Sequence, residues 1–253
     1  MGTVNKGKEG FYERSQPQGG LNKNNVEKVD ISSVFNHDRK TFLHTPNKGV
    51  ELDPYYYKEY PDFLTPEECD KLAEIILRDE QDILSIPNAS GKPYEGLTLQ
   101  HEVYNWFNHK DVALLNIPQR LLALDEFNTW NSWLVQCWTN VSRQHEFLSP
   151  HFHTWQPLNH LYACNIFIAG NPNTGTHYEG RGRVTNKIGA LTIVGQRLEH
   201  QVKSNIYQTP RISMAVDIMT TPTSYMRNEQ SFTERYVYYR NDAVSETPLC
   251  MQL

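Results

Sequence analysis

WLVQCWTNV, at residues 133–141, alternates apolar and polar side chains and is rich in residues that favour β-strands. Three further segments of similar character follow it: LYACNIFIAG at 161–170, GALTIVG at 189–195 and RISMAVDIM at 211–219. Turn-forming residues separate these segments. Short strands with this spacing are typical of a sandwich or a jelly-roll barrel, also called a double-stranded β-helix. We therefore predict that residues 131–220 form the core of a β-barrel.

The chain before this barrel segment begins with a strand and a helix. YYYKEYPDFL at residues 55–64 predicts the strand. In the TPEE sequence that follows, Thr65 can cap the helix, Pro66 suits its first position and Glu68 can return the capping bond. Apolar residues then recur on one face, which predicts a helix over 66–79.

A second helical pattern over residues 111–127 is broken or restarted at Pro118. We expect residues 51–130 to be a helical support for the barrel. Together, residues 51–253 then form one domain, mainly β with supporting helices.

Residues 1–50 differ from the rest of the chain, because they are rich in Asn, Gly, Lys and Gln and carry few apolar clusters. A segment of this composition cannot bury enough apolar surface to fold by itself. We predict a polar N-terminal arm that lies outside the barrel core and docks a protein partner or a neighbouring subunit.

Composition and charge argue against several classes of protein. The formal net charge is −5, with 24 basic and 29 acidic residues, so there is no basic excess of the kind that nucleic-acid binding usually needs. No apolar run reaches the roughly 20 residues that span a bilayer, and the first residues lack the apolar segment of a signal peptide. The four cysteines form no CxxC pair, which favours reduced thiols over a zinc ribbon. We expect a cytoplasmic protein, free or as part of a viral or other large particle.

SPHFH at residues 149–153 is the first sign of a metal site. In an extended strand, residues two apart point to the same face, so His151 and His153 can converge while Phe152 packs on the other side. Imidazoles paired in this way suit iron, zinc, copper or nickel. A His-x-His pair alone is a weak signal, because such spacing also arises by chance.

A third histidine, His200, follows the buried strand pattern of residues 189–195, and Arg211 begins the next strand eleven residues later. A barrel can fold His200 back beside the first pair, which supplies a third ligand and leaves coordination positions open. A guanidinium such as that of Arg211 can hold a carboxylate through two parallel hydrogen bonds. Ser213 lies on the same strand face as Arg211.

This order, with His-x-His, a distal histidine and then Arg-x-Ser, resembles the Fe(II)/2-oxoglutarate-dependent oxygenases. More narrowly, it is similar to a 2-oxoglutarate–Fe(II) oxygenase family found in bacteria and their phages. Three further segments carry the resemblance: WTN at 138–140, the aromatic-rich strand at 161–170 and DFLTPEECDKLAEIIL at 62–77. The resemblance spans residues 55–220, and the spacing of the distal histidine, arginine and serine is its most specific part.

The resemblance implies a hydroxylase that uses Fe(II), 2-oxoglutarate and O2 on an unidentified primary substrate. His151 and His200 would bind the iron, and Arg211, helped by Ser213, would hold the far carboxylate of 2-oxoglutarate. Two further polar residues are candidates for hydrogen bonds to the cofactors: Asn140 and Tyr162.

The sequence departs from the family pattern at His153, where most members have a carboxylate. His153 can be the third metal ligand, or it can face the substrate while water fills the third position. A nearby carboxylate, Glu146 or Glu199, is a further alternative for the ligand. Two other functions also stay open: a three-histidine dioxygenase of cupin type, and a non-catalytic structural or binding module.

Overall fold

A computed structural model describes residues 52–86, 104–130, 132–153, 161–219 and 237–240, with the backbone alone at 132 and 237–240. The predicted arm at residues 1–50 lies outside the described residues. None of the helices in the described part of the chain is long and apolar enough to cross a membrane.

The described strands form two antiparallel sheets, which we call the large sheet and the small sheet. The large sheet has six strands in the order β1-β7-β4-β9-β2-β10. These are β1 (Tyr57–Tyr60), β7 (Leu191–Gly195), β4 (Leu161–Ala169), β9 (Arg211–Met219), β2 (Ser132–Ser142) and β10 (Val237–Arg240). The small sheet has four strands in the order β3-β8-β5-β6. These are β3 (Leu148–His151), β8 (His200–Val202), β5 (Thr176–Tyr178) and β6 (Gly182–Val184).

The fold class predicted from the strand pattern is confirmed: the protein is mainly β, with the two sheets of a jelly-roll barrel and a few supporting helices. The large sheet also recruits strands from outside residues 131–220. β1 pairs with β7 at one edge, and β10 pairs with β2 at the other.

The helices are α1 (Pro66–Leu84), α2 (Lys110–Ala113) and α3 (Ile117–Leu122), with a 3₁₀ turn at Trp106–Asn108. The predicted capping box is present: Thr65 accepts from the backbone of Glu68, and the Glu68 side chain accepts from the backbone of Thr65. Helix α1 runs five residues further than its predicted end, because Glu80 and Ile83 continue its buried face. The pattern over 111–127 becomes two short helices, and Pro118 stands in the first turn of α3, where proline suits a helix start.

The two faces of the large sheet have different neighbours. One face packs against α1 and contributes most of the main hydrophobic core, including Cys164, Ile166, Ile193, Met214 and Val216. The other face, which we call the inner face, is directed toward the small sheet. A smaller apolar cluster joins the two sheets there, formed by Leu134, Leu161, Ala163, Tyr178, Val194, Leu198 and Met219.

Strand β9 places polar residues on this inner face, because alternate residues of a strand share a face. Its inner positions are Arg211, Ser213, Ala215 and Asp217, all of them buried. A barrel interior that holds an arginine and an aspartate is costly unless these groups have partners or a function. The inner face therefore holds the candidate site.

Candidate functional site

Two of the three predicted metal ligands face each other on neighbouring strands of the small sheet. His151 ends β3 and His200 begins β8, and the two residues are partners in the antiparallel ladder. Their ring centroids lie 4.3 Å apart. Because ladder partners project their side chains to the same face, strand pairing itself brings these imidazoles together.

The third predicted ligand, His153, lies beyond the end of β3 rather than inside an extended strand. Its backbone N–H donates to the carbonyl of Gln196 at 3.1 Å, which holds this segment beside the turn between β7 and β8. Its ring centroid is 5.7 Å from that of His151 and 5.3 Å from that of His200. Phe152, which was expected to pack on the other side of the strand, is 49% exposed and belongs to neither apolar cluster.

Hydrogen bonds fix the orientation of His151 and His200. Nδ1 of His151 lies 2.8 Å from the carbonyl oxygen of Ser149, and Nδ1 of His200 lies 3.0 Å from that of Leu198. A carbonyl oxygen only accepts, so both Nδ1 atoms carry the proton. The Nε2 atom of each ring then keeps its lone pair for a metal.

His153 is oriented by a carboxylate instead. Its Nδ1 lies 2.8 Å from Oδ1 of Asp217, a residue of the inner face of β9. The two groups are at ion-pair distance, but no described N–H or O–H group is aligned on Oδ1 as a hydrogen-bond donor. The negative oxygen still favours the proton on Nδ1, which leaves Nε2 of His153 available as well.

The three imidazoles fit a metal ion. One ring nitrogen from each of His151, His153 and His200 lies within 4.8 Å of the other two. Metal–imidazole bonds of about 2.0–2.1 Å place two nitrogens on one ion no more than about 4.2 Å apart, so small side-chain movements suffice. Within the described residues, neither Glu146 nor Glu199 belongs to this donor group.

The lowered pKa values of His151 and His200 suit metal binding, which requires neutral imidazole. Burial, together with the neighbouring rings of His153 and His151, lowers the pKa of His200 to about 3. Burial likewise lowers the pKa of His151. For His153, burial alone would lower the pKa, but the charge of Asp217 outweighs burial and raises it.

Arg211 is buried in the barrel, with 1% of its surface exposed. Its guanidinium donates to three neutral oxygens at 3.0–3.1 Å: the carbonyl of Thr174 and the hydroxyls of Thr176 and Ser213. Burial lowers the pKa of Arg211 to about 10, so the group is charged at neutral pH. Among the described residues, the Tyr178 phenol is the only ionisable group close enough to affect that pKa.

A buried cation without a counter-ion is costly, and this cost suggests an anionic ligand. A guanidinium has five N–H donors, and the three bonds that Arg211 makes to described residues leave two of these donors for a ligand. The geometry of these donors matches a carboxylate. The sequence prediction that Arg211 holds a carboxylate is therefore compatible with its surroundings.

Close packing between β5 and β6 fixes the oxygens around Arg211. A Cβ atom on Gly175 would lie 2.0 Å from the carbonyl oxygen of Val184, so only glycine fits there. The residues on either side of this glycine, Thr174 and Thr176, supply two of the three oxygens that hold the guanidinium.

Strand β5 connects the arginine to the histidines. Thr176 and Tyr178 share one face of this strand, about 6–7 Å apart along it. Thr176 accepts a hydrogen bond from Arg211, and the Tyr178 ring centroid lies 5.7 Å from that of His200. The same two residues line a cleft of about 60 Å³ together with inner-face residues of β4 and β7, among them Asn165 and Thr192.

The remaining predicted cofactor-binding residues have different locations. Asn140 is buried and pairs with Ser213 in the ladder between β2 and β9, so it lies on the inner face beside the arginine. Tyr162 belongs to the helix-facing core. Its ring packs against those of Tyr56, Phe127 and Trp130.

Three residues of the site were not identified from the sequence: Thr176, Tyr178 and Asp217. The alternation of RISMAVDIM could have indicated Asp217, because it places this aspartate on the same face as Arg211. No comparable signal marks β5, since a three-residue strand is too short to display a period of two.

A second group of metal-type donors lies near the start of α2, where Asp79, His109 and Asp111 approach one another. A cation already occupies it, because the guanidinium of Arg78 contacts Asp79 at 2.6 Å and Asp111 at 2.7 Å. His109 also contacts Asp79 at 2.9 Å. These contacts satisfy the cluster as a surface ion-pair network.

No protein-family model and no curated protein matches this chain. Among solved structures, it is similar to a Pseudomonas putida prolyl-4-hydroxylase, with 15% identity, a TM-score of 0.45, and coverage of 67% of this chain and 88% of that one. It is also similar to the alpha-ketoglutarate-dependent epimerase SnoN, with 14% identity, a TM-score of 0.49, and coverage of 66% of this chain and 78% of that one. A third match is HygX from Streptomyces hygroscopicus with nickel, 2-oxoglutarate and hygromycin B bound. Its identity is 13%, the TM-score is 0.48, and the match covers 68% of this chain and 85% of that one. At these identities and TM-scores, the similarity assigns no activity, so a function has to be argued from the site itself.

Proposed function

We propose that this chain is a non-haem Fe(II)- and 2-oxoglutarate-dependent oxygenase that hydroxylates an unidentified substrate. The observation that carries the proposal is Arg211, a buried guanidinium without a carboxylate partner among the described residues, in a barrel that also holds three converging imidazoles. A metal and a dicarboxylate together match both features. The bacterial and phage oxygenase family named from the sequence remains part of this proposal.

In this proposal, His151, His153 and His200 hold the iron. The 2-oxo acid end of 2-oxoglutarate would bind the metal, and its far carboxylate would accept hydrogen bonds from Arg211. The neutral oxygens around the guanidinium support this role, because they orient it without neutralising its charge. When bound, iron and 2-oxoglutarate supply the electrons and the oxidising chemistry for the use of O2.

Residues on the strands between the metal and the arginine complete the proposed cosubstrate pocket. Burial raises the pKa of Tyr178 to about 12, so its phenol stays protonated and can donate to a carboxylate. Thr176, Ser213 and Asn140 add polar contacts on the same inner surface. We leave Tyr162 out of the pocket, because its ring packs in the helix-facing core.

The three-histidine donor set favours a second candidate, a dioxygenase of cupin type that needs no 2-oxoglutarate. Arg211 argues against it, because that chemistry gives no role to a buried carboxylate receptor. A non-catalytic module is the third candidate, and it would need neither metal nor dicarboxylate.

The test is an anaerobic titration of the Fe(II)-loaded protein with 2-oxoglutarate, followed by the weak visible band of a 2-oxo acid chelated to Fe(II). We expect saturable binding. A matched ligand, 2-oxobutanoate, keeps the chelating end and lacks the far carboxylate, so it should bind roughly ten- to a hundredfold more weakly. Fe(II) binding without any response to 2-oxoglutarate would favour the cupin-type enzyme. Failure to bind Fe(II) at all would favour the non-catalytic module.

A further inference from the structure

Asp217 stands out among the charged residues of the barrel interior. It is 3% exposed, it lies on the inner face of β9, and its ladder partners are Gln136 and Ala163. Its one ion-pair partner in the described part of the chain is His153. The carboxylate is therefore directed at a single member of the histidine triad.

The other two histidines have a different kind of support. His151 and His200 each place Nδ1 against a neutral backbone carbonyl from their own segment. Only His153 has a negatively charged group at this position, and that group comes from the opposite sheet. His153 also stands at the position where most of the oxygenases that this sequence resembles carry a carboxylate.

A carboxylate behind a metal-bound histidine has two known effects. It fixes the orientation of the ring, and it raises the basicity of the nitrogen that faces the metal. Both effects matter here, because His153 lies beyond the end of its strand and has no ladder partner to orient it. The backbone bond to Gln196 places its chain, and Asp217 supplies a contact for its ring.

We infer that Asp217 is a positioning residue of the metal site. It holds the His153 ring against the metal, and through this ring it supplies the negative charge that a histidine ligand lacks. The His153–Asp217 pair then replaces the usual metal-bound carboxylate. This inference rests on the metal site of the proposed function, and it adds to that function a residue that acts through a ligand.

The test measures Co(II) and Fe(II) dissociation constants of the full chain by anaerobic titration. D217N keeps the shape of the side chain and removes its charge, and we expect it to weaken metal binding about ten- to a hundredfold. D217E keeps the charge and should retain most of the affinity. The matched control is E80Q, which removes another buried carboxylate, one that pairs with Arg143 away from the histidines; it should bind metal as the wild type does.

The same substitution is then made in the H153D background, where a carboxylate can bind the metal directly. There D217N should no longer weaken binding, and it should strengthen it if two adjacent carboxylates repel each other. The visible spectrum of bound Co(II) should also change with D217N in the wild-type background and not with E80Q.

Three results would overturn parts of this account, and they differ. Unchanged affinity in D217N, with normal binding by the wild type, would refute the role of Asp217 alone. An equal loss from D217N in both backgrounds would show that Asp217 does not act through His153. A wild type that binds neither metal would refute the metal site itself, and with it the proposed function.

Discussion

His151 and His200 are direct partners in the ladder between β3 and β8, with ring centroids 4.3 Å apart. Pairing between these two short strands is sufficient to bring the two rings together. Strand pairing in the small sheet therefore places two of the three proposed ligands, whereas the position of His153 depends on contacts with the rest of the barrel.

The first prediction is that His200→Ala, or His151→Ala, abolishes specific metal binding. Loss of a ligand should cost more than the roughly ten- to hundredfold loss expected for its hydrogen-bond partner. His177→Ala is the matched control: this histidine lies on β5, one residue from Tyr178 and therefore on the opposite face. Co(II) should raise the melting temperature of the wild type and of His177→Ala, and not that of His200→Ala. A metal-dependent shift that survives in His200→Ala would contradict the three-histidine site.

Part of the candidate site could be predicted from sequence because it depends on local order. A period of two links Arg211 to Ser213 on one strand, whereas His153 lies just beyond the end of β3, so the strand period alone does not place it beside His151. The capping box at Thr65 is equally local, and the structure contains it. In each case, residues a few positions apart determine the geometry.

The rest of the site depends on pairing between distant segments. The contact between His153 and Asp217 joins residues 64 positions apart, and it arises only because the two sheets close into a barrel. Tyr162 illustrates a second difficulty. Its strand is apolar on both faces, so the sequence does not say which residues point inward; the inner positions are Leu161 and Ala163, one residue to either side.

The second prediction concerns the N-terminal arm. A variant that lacks residues 1–50 should remain folded and bind metal, because the described residues, which begin at 52, already form a hydrophobic core between α1 and the large sheet. Cooperative thermal unfolding and Co(II) affinity within about twofold of the full chain are the expected results. Non-cooperative unfolding of the truncated protein would show that the arm is integral to the domain.

The third prediction concerns Glu126, which ties β1 to the segment before β2. Its carboxylate accepts from the hydroxyls of Tyr56 and Tyr60 at 2.6 and 2.7 Å and pairs with Lys58 at 2.7 Å. Burial alone would raise the pKa of Glu126, but these hydrogen bonds outweigh burial and lower it. Since the folded pKa is below the unfolded one, the stabilisation is present above about pH 4.3 and is lost as pH falls through the folded pKa.

Glu126→Gln should therefore lower the free energy of unfolding at pH 7 by about 1.5–3 kcal/mol, the range for hydrogen bonds to a charged group. The difference in the free energy of unfolding between the variant and the wild type should become smaller below about pH 4, because the wild-type carboxylate takes up its proton there. Urea unfolding at pH 7 and at the lowest pH where the wild type stays folded measures both values. Asp125→Asn, at the exposed neighbouring residue, is the control and should change neither. A difference that is constant with pH would rule out a contribution from ionised Glu126.

The last prediction is that Arg211→Lys weakens 2-oxoglutarate binding roughly ten- to a hundredfold and leaves metal affinity unchanged. Lysine keeps the charge but cannot form two parallel hydrogen bonds to a carboxylate, and a charge-assisted bond contributes about 1.5–3 kcal/mol. Arg197→Lys, at an exposed arginine, is the matched control and should bind 2-oxoglutarate normally. For 2-oxobutanoate, which has no far carboxylate, Arg211→Lys and the wild type should bind equally well. A parallel loss of affinity for both ligands would instead indicate a general disturbance of the barrel, and the assignment of Arg211 as the carboxylate receptor would fail.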